Sequence, residues 1–169
     1  MKLPPVFQRI LNNPFLPLIA APLVLFAPLL TAGKALVWGT PSTQFFPWWD
    51  FAWGSLQAGE LPLWNPLLGM GAPLAENYQS ALFYPPSWIY LIVHWIGGVE
   101  WMAYAATWMV CLHLIWAGIG MAVFLRHLEL KPVAQTVGGL AFSLSGYLVA
   151  RAGFLSINHL FFTHIPGFN

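Results

Sequence analysis

The run GTPSTQFFPWWDFAWGSLQAGELPLWNPLLGMGAPLAENYQSALFYPP, residues 39–86, decides how the rest of the chain is read. Long apolar runs flank it on both sides. Within it lie three of the five acidic residues of the chain, Asp50, Glu60 and Glu76, together with Trp48, Trp49, Trp53 and Trp64. A polar and aromatic island of this length is too long for a simple hairpin loop. It reads as a platform at a membrane surface that binds something.

Composition places the whole 169-residue chain in the membrane class. Charged residues make up 7% and apolar residues 59%, against about 25% charged in soluble domains. A soluble surface built from this sequence would lack charge for its solvation. The net charge of +1 excludes a nucleic-acid footprint, which needs clustered Lys and Arg. A single cysteine, Cys111, excludes a disulfide framework and a thiolate metal cluster; mid-way along an apolar run, it reads as a small buried side chain.

Working outward from the island, residues 1–13 carry Lys2 and Arg9 and no acid, which marks a cytoplasmic flank. Residues 15–37 form an apolar run long enough to cross about 30 Å of hydrocarbon as a helix. Pro17, Pro22 and Pro28 are tolerable there because neighbouring helices re-satisfy the freed carbonyls. A cleaved signal peptide is the rival reading. Its apolar region is normally about 7–15 residues, and no small-x-small cleavage site follows. Within the island, Pro47 suits the first turn of a helix and Gly59 its C-terminal cap. Asp50 and Gln57 share one face of that helix with Thr43, Pro47 and Gly54. Phe45, Trp49, Ala52, Trp53 and Leu56 lie broadly opposite. The pattern predicts an amphipathic helix lying in the interface with its tryptophans in the headgroups. Asp50 then either solvates the outer face or acts as an acid. The Gly- and Pro-rich stretch around Pro62, Pro66, Gly69, Gly71 and Pro73 predicts irregular backbone that must be wet or packed on protein. Residues 75–80 group Glu76, Asn77, Tyr78, Gln79 and Ser80.

Beyond the island, residues 87–96 are short for a span and end at Gly97-Gly98, so an interfacial or re-entrant segment is expected, with a transmembrane helix as the alternative that would put the basic turn outside. Residues 101–125 read as a span that contains His113, a helix-to-helix hydrogen bonder or a proton relay. Arg126, His127 and Lys131, with Glu129, make a compact basic turn. Residues 133–150 read as a third span in which Gly138, Gly139, Ser143, Ser145 and Gly146 allow close helix contact. Residues 151–169 begin a second outer stretch. The positive-inside rule puts the basic turn with the N-terminus and the platform outside, with Ser42 and Ser80 accessible. No His-Glu-x-x-His metal motif, phosphate loop or Gly-x-Ser-x-Gly elbow is present.

The ordered set Gln44-Phe45-Phe46-Pro47-Trp48, Gly59-Glu60-Leu61-Pro62-Leu63-Trp64-Asn65-Pro66, Gly71-Ala72-Pro73 and Gln79-Ser80-Ala81-Leu82-Phe83-Tyr84-Pro85 resembles the first outer loop of the YfhO-type bacterial membrane proteins. Leu140-Ala141-Phe142-Ser143-Leu144-Ser145-Gly146 is similar to the helix that follows in that family. Family members are several-fold longer, so the chain is expected to be an N-terminal portion. The resemblance implies an all-α integral membrane chain, part of a GT-C-like fold, with about three transmembrane helices, an amphipathic interfacial helix and a long outer loop. It implies transfer of a sugar from a polyprenyl-phosphate donor to a cell-envelope glycan acceptor, at the membrane lipid surface, with a divalent cation assisting in some members. An acid four residues before Gln44 is expected; Thr40 stands there. Glu76, Glu60 and Asp50 are then the candidate catalytic carboxylates. Gln44, Trp48, Trp64, Asn65, Asn77, Gln79, Tyr84 and His159 are the candidate substrate contacts. A non-catalytic binder of lipid-linked glycans is the second reading and a transporter piece the third. Transporters place polar sites at mid-membrane, whereas here the polar residues gather in the loop.

Overall fold

An apolar backbone in lipid must satisfy its own hydrogen bonds, and helices do so within one segment. The structure, a computed structural model that describes residues 13–35 and 40–152, is accordingly mostly helical. Among the described residues, two helical segments, Pro85–His127 and Pro132–Arg151, each with a break inside it, are long and apolar enough to cross a membrane.

Helix α1 (Phe15–Thr31) carries Pro22 and Pro28 inside it. It stops short of the expected 15–37. Gly33 takes φ +61°, and Lys34 N–H donates back to the Leu29 carbonyl at 3.0 Å. That left-handed glycine closes the last turn. At about 26 Å, α1 is short for a span. Residues 36–39 lie outside the described residues.

A π-helical turn, Pro41–Phe45, leads into α2 (Phe46–Gln57). Gly59 ends α2 as expected: at φ +81° it directs its own N–H to the Leu56 carbonyl and the Glu60 N–H to the Ser55 carbonyl. The faces of α2 depart from the expectation. Trp49 and Trp53 are 1% and 2% exposed and sit in the protein core with Phe46, Trp48 and Ala52. They are therefore not headgroup anchors. Among the described residues, the tryptophans left exposed are Trp64, Trp88, Trp95, Trp101, Trp108 and Trp116. Amphipathic spacing shows which side chains lie together, but not whether lipid or protein covers them.

Helix α3 (Trp88–His127) is two limbs joined at Gly98, whose φ of 71° and ψ of −162° are not helical. Only glycine takes that conformation readily. One hydrogen bond gives the direction of the limbs. Tyr84 lies just before α3, and its hydroxyl is 2.6 Å from Nε2 of His113. A straight helix would separate those positions by about 43 Å. The limb 88–97 therefore runs back along the limb 99–127. The segment 87–96, expected to be interfacial or re-entrant, is this returning limb. Straight, Pro85–His127 would measure about 64 Å, twice the hydrocarbon thickness. Folded at Gly98, the limb 99–127 alone is about 43 Å long, which matches the bilayer with its headgroups.

Helices α4 (Pro132–Ser143) and α5 (Gly146–Ala152) follow the basic turn, with a break between them. Residues 133–150 are thus not one continuous helix. The small residues do bring helices together. Gly139 packs where a Cβ would meet the Gly118 carbonyl at 2.8 Å, and Ser143 is buried against Gly118. At the far end of the bundle, the Tyr104 hydroxyl donates to the Leu30 carbonyl at 2.8 Å. This fixes α1 antiparallel to the long limb, because Phe15 lines one cavity with Arg126 at the opposite end.

Candidate functional site

Between α2 and α3 the irregular segment is tied down by side chains that reach backbone carbonyls. Trp49 Nε1 donates to the Ser80 carbonyl at 2.6 Å, and Trp88 Nε1 to the Leu82 carbonyl at 3.0 Å. Trp49 also stacks on Tyr90, with ring centroids 4.8 Å apart. Buried loop carbonyls need partners, and the indoles supply them. The loop is thereby held against α2 and the returning limb of α3, and its Leu74 and Leu82 share a core with Met102, Ala106, Met109 and Val110 of the long limb. Ser80 is buried in this seam, so its expected accessibility from outside does not hold.

Inside the loop, Trp64–Asn65 pairs antiparallel with Ala72–Pro73, Trp64 opposite Pro73 and Asn65 opposite Ala72. The Trp64 indole lies over Gly71, where φ is +96° and a methyl group would collide with the ring. Asn65 is buried and accepts from the Leu67 N–H at 2.9 Å. Asn77 accepts from the Gln79 N–H at 3.0 Å. Both amides thus spend their oxygens on turns of the loop itself.

Tyr84 and His113 fix each other. Nδ1 of His113 lies 2.7 Å from the Met109 carbonyl, which can only accept, so Nδ1 carries the proton and donates. Nε2 then accepts from the Tyr84 hydroxyl. Burial pushes the Tyr84 phenol above its ordinary value, which keeps it a donor. His113 was expected to bond helix to helix or relay protons; here it bonds helix to loop. It sits half-way between residues 99 and 127, so the loop descends to the middle of the long limb.

The structure separates the three candidate carboxylates. Glu60 and Glu76 are exposed, and neither has a hydrogen-bond or ion-pair partner among the described residues. Asp50 is bound at Oδ1 by Nε2 of His94, 2.7 Å away. The other nitrogen of His94, Nδ1, is 3.4 Å from Nε2 of Gln57. The sequence reading missed His94. It is one polar residue in an apolar segment, and it meets Asp50 across 44 positions, which no local spacing reveals.

Of the other candidates, Trp48 is buried with its indole N–H unpartnered. Gln44 and Tyr84 are half-buried, and Trp64 and Gln79 are exposed. His159 lies outside the described residues. No group of three or more His, Cys, Asp or Glu side chains that could hold a metal ion occurs among the described residues. A cavity of about 580 Å³ lined by Asn13, Phe15, Arg126, Pro132 and Gln135 opens at the opposite end from the Tyr104–Leu30 contact and shares none of the loop residues. Comparison with protein-family models, with curated proteins and with solved structures returned no match.

Proposed function

We propose that the chain is the N-terminal membrane part of a YfhO-type sugar transferase with a GT-C-like fold, acting on a polyprenyl-phosphate-linked sugar at the outer face of a bacterial cell membrane. The observation that carries this reading is the depth of the loop. Polar residues on an irregular backbone lie beside the upper half of a membrane-length helix that exposes Trp101, Trp108 and Trp116, with Trp95 exposed on the returning limb. An amphiphile suits such a surface. Its apolar chain lies along the exposed aromatics, and its sugar phosphate reaches the wet loop without leaving the interface. Lys34, exposed at the same end as the Tyr104–Leu30 contact, supplies a cation for the phosphate. The acceptor, a cell-envelope glycan, approaches from water. Thr40, in place of the expected acid, favours the second reading, a non-catalytic binder of lipid-linked glycans.

The test is sugar transfer from a polyprenyl-phosphate donor by the full protein in reconstituted membranes. Transfer is the expected result. Donor binding without transfer supports the second reading, and absence of both overturns the proposal.

The orientation is tested separately. In a Cys111→Ala background, Glu60→Cys should react with an impermeant thiol reagent added to intact cells. Leu128→Cys, beside the basic turn, should react only after the cells are opened. Outside labelling of Leu128→Cys overturns the topology.

A further inference from the structure

We propose that His94 is the proton acceptor of this site and that Asp50 is its positioning residue. The inference rests on the transferase reading and names the base within it. Asp50 and His94 come from different elements, α2 and the returning limb of α3. They meet at the end of the bundle where the limb turns at Gly98, and Asp50 remains half exposed there.

An ionised carboxylate only accepts hydrogen bonds. The 2.7 Å contact therefore puts the imidazole proton on Nε2, and the lone pair on Nδ1. A histidine held this way by a carboxylate is oriented for proton transfer through its other nitrogen. The donor that meets Nδ1 in the structure is the Gln57 amide, at 3.4 Å. That is longer than an ordinary N–H···N or N–H···O bond. An acceptor hydroxyl, a stronger and shorter partner, displaces it readily.

A purely mechanical role explains less. Helix α2 is already anchored by the burial of Trp49, Ala52 and Trp53, and a partly exposed ion pair adds little to such an anchor. The carboxylates of Glu60 and Glu76, the other acids of the loop, have no partner among the described residues to orient or activate them.

The oxygen of the acceptor hydroxyl forms a bond to the anomeric carbon of the donor sugar. The bond from that carbon to the phosphate oxygen breaks, and the polyprenyl phosphate leaves with the electron pair. The hydroxyl proton passes to Nδ1 of His94. The imidazolium so formed is paired with the Asp50 carboxylate until the proton is lost to water.

The experiment compares variants of the full protein in the same reconstituted transfer assay, with donor binding measured alongside. Glutamine at position 94 offers Asp50 an N–H but has no nitrogen that takes up a proton. His94→Gln should lower turnover by about 10²–10⁴-fold, the usual weight of a positioned base, with donor binding unchanged. His94→Ala should be equally slow and should regain transfer when free imidazole is added. Asp50→Asn should lower kcat and leave KM unchanged. Wild-type turnover in His94→Gln overturns the inference and leaves the transferase reading standing. Failure of imidazole to rescue His94→Ala likewise assigns His94 a clamping role and overturns it. A wild-type protein that binds donor and transfers nothing overturns both.

Discussion

Trp49→Ala should release the loop from α2 and loosen α2 from the returning limb of α3. Trp49 is all but fully buried, with its ring stacked on Tyr90 and edge-on to Phe46. Truncating a buried tryptophan costs about 3–5 kcal/mol. The same change strips the Ser80 carbonyl of its donor in a buried place, which costs a further ~1–3 kcal/mol. The two costs share one site and do not simply add, yet either is a large part of a typical domain stability of about 5–15 kcal/mol. Trp49→Phe shifts the balance between them, since it keeps a six-membered aromatic ring in the core while removing the N–H and the five-membered ring. Trp64→Ala is the comparison at an exposed indole and should cost no more than about 1 kcal/mol. Unfolding midpoints in detergent micelles order the three variants. A loss in Trp64→Ala equal to that in Trp49→Ala would show that the platform is held by its outer surface and not by its core.

Gly98→Ala should be the second most damaging single change. The residue has open space around it, so nothing collides with a new methyl group. The cost arises from the backbone alone. At φ 71° and ψ −162° a side chain is strained by about 1–3 kcal/mol, and the relief of that strain opens the angle between the two limbs. Opening it draws Tyr84 away from His113. Gly54→Ala is the control, since Gly54 also has open space around it but lies in α2 at no unusual φ. There alanine should stabilise by about 0.5–1 kcal/mol. Opposite signs for the two glycine variants are expected in the same unfolding measurement, and equal effects would remove the hairpin from the account.

The parts of this architecture that were legible in the sequence are those set by one stretch alone. Apolar length and missing charge marked the long helix around His113. Gly59 announced the end of α2, and Gly97-Gly98 marked a segment too short to span. Gly33 carried the same kind of signal for α1, but the apolar run continues past it to Val37, and hydropathy outweighed it in the reading. What could not be read was which partner covers a face. Trp49 and Trp53 look the same to a spacing rule whether lipid headgroups or Tyr90 and Met102 lie opposite. The site suffered from the same limit. Glu76 drew attention through its polar neighbours in sequence, yet it stands alone in space. Asp50 drew less, and its partner arrives from a limb whose direction is set by a single glycine.

The descent of the loop to the level of His113 also orders events in time. Residues 46–84 emerge from the ribosome before the limb 99–127 that walls them. Until that limb is in place, the core that Leu74 and Leu82 share with Met102, Ala106, Met109 and Val110 is incomplete, and the Leu30 carbonyl waits 74 residues for Tyr104. Contacts of such separation close late and leave their surfaces open meanwhile. The aromatic loop is thus translated first and seated last, and its apolar surface stays open in the interval.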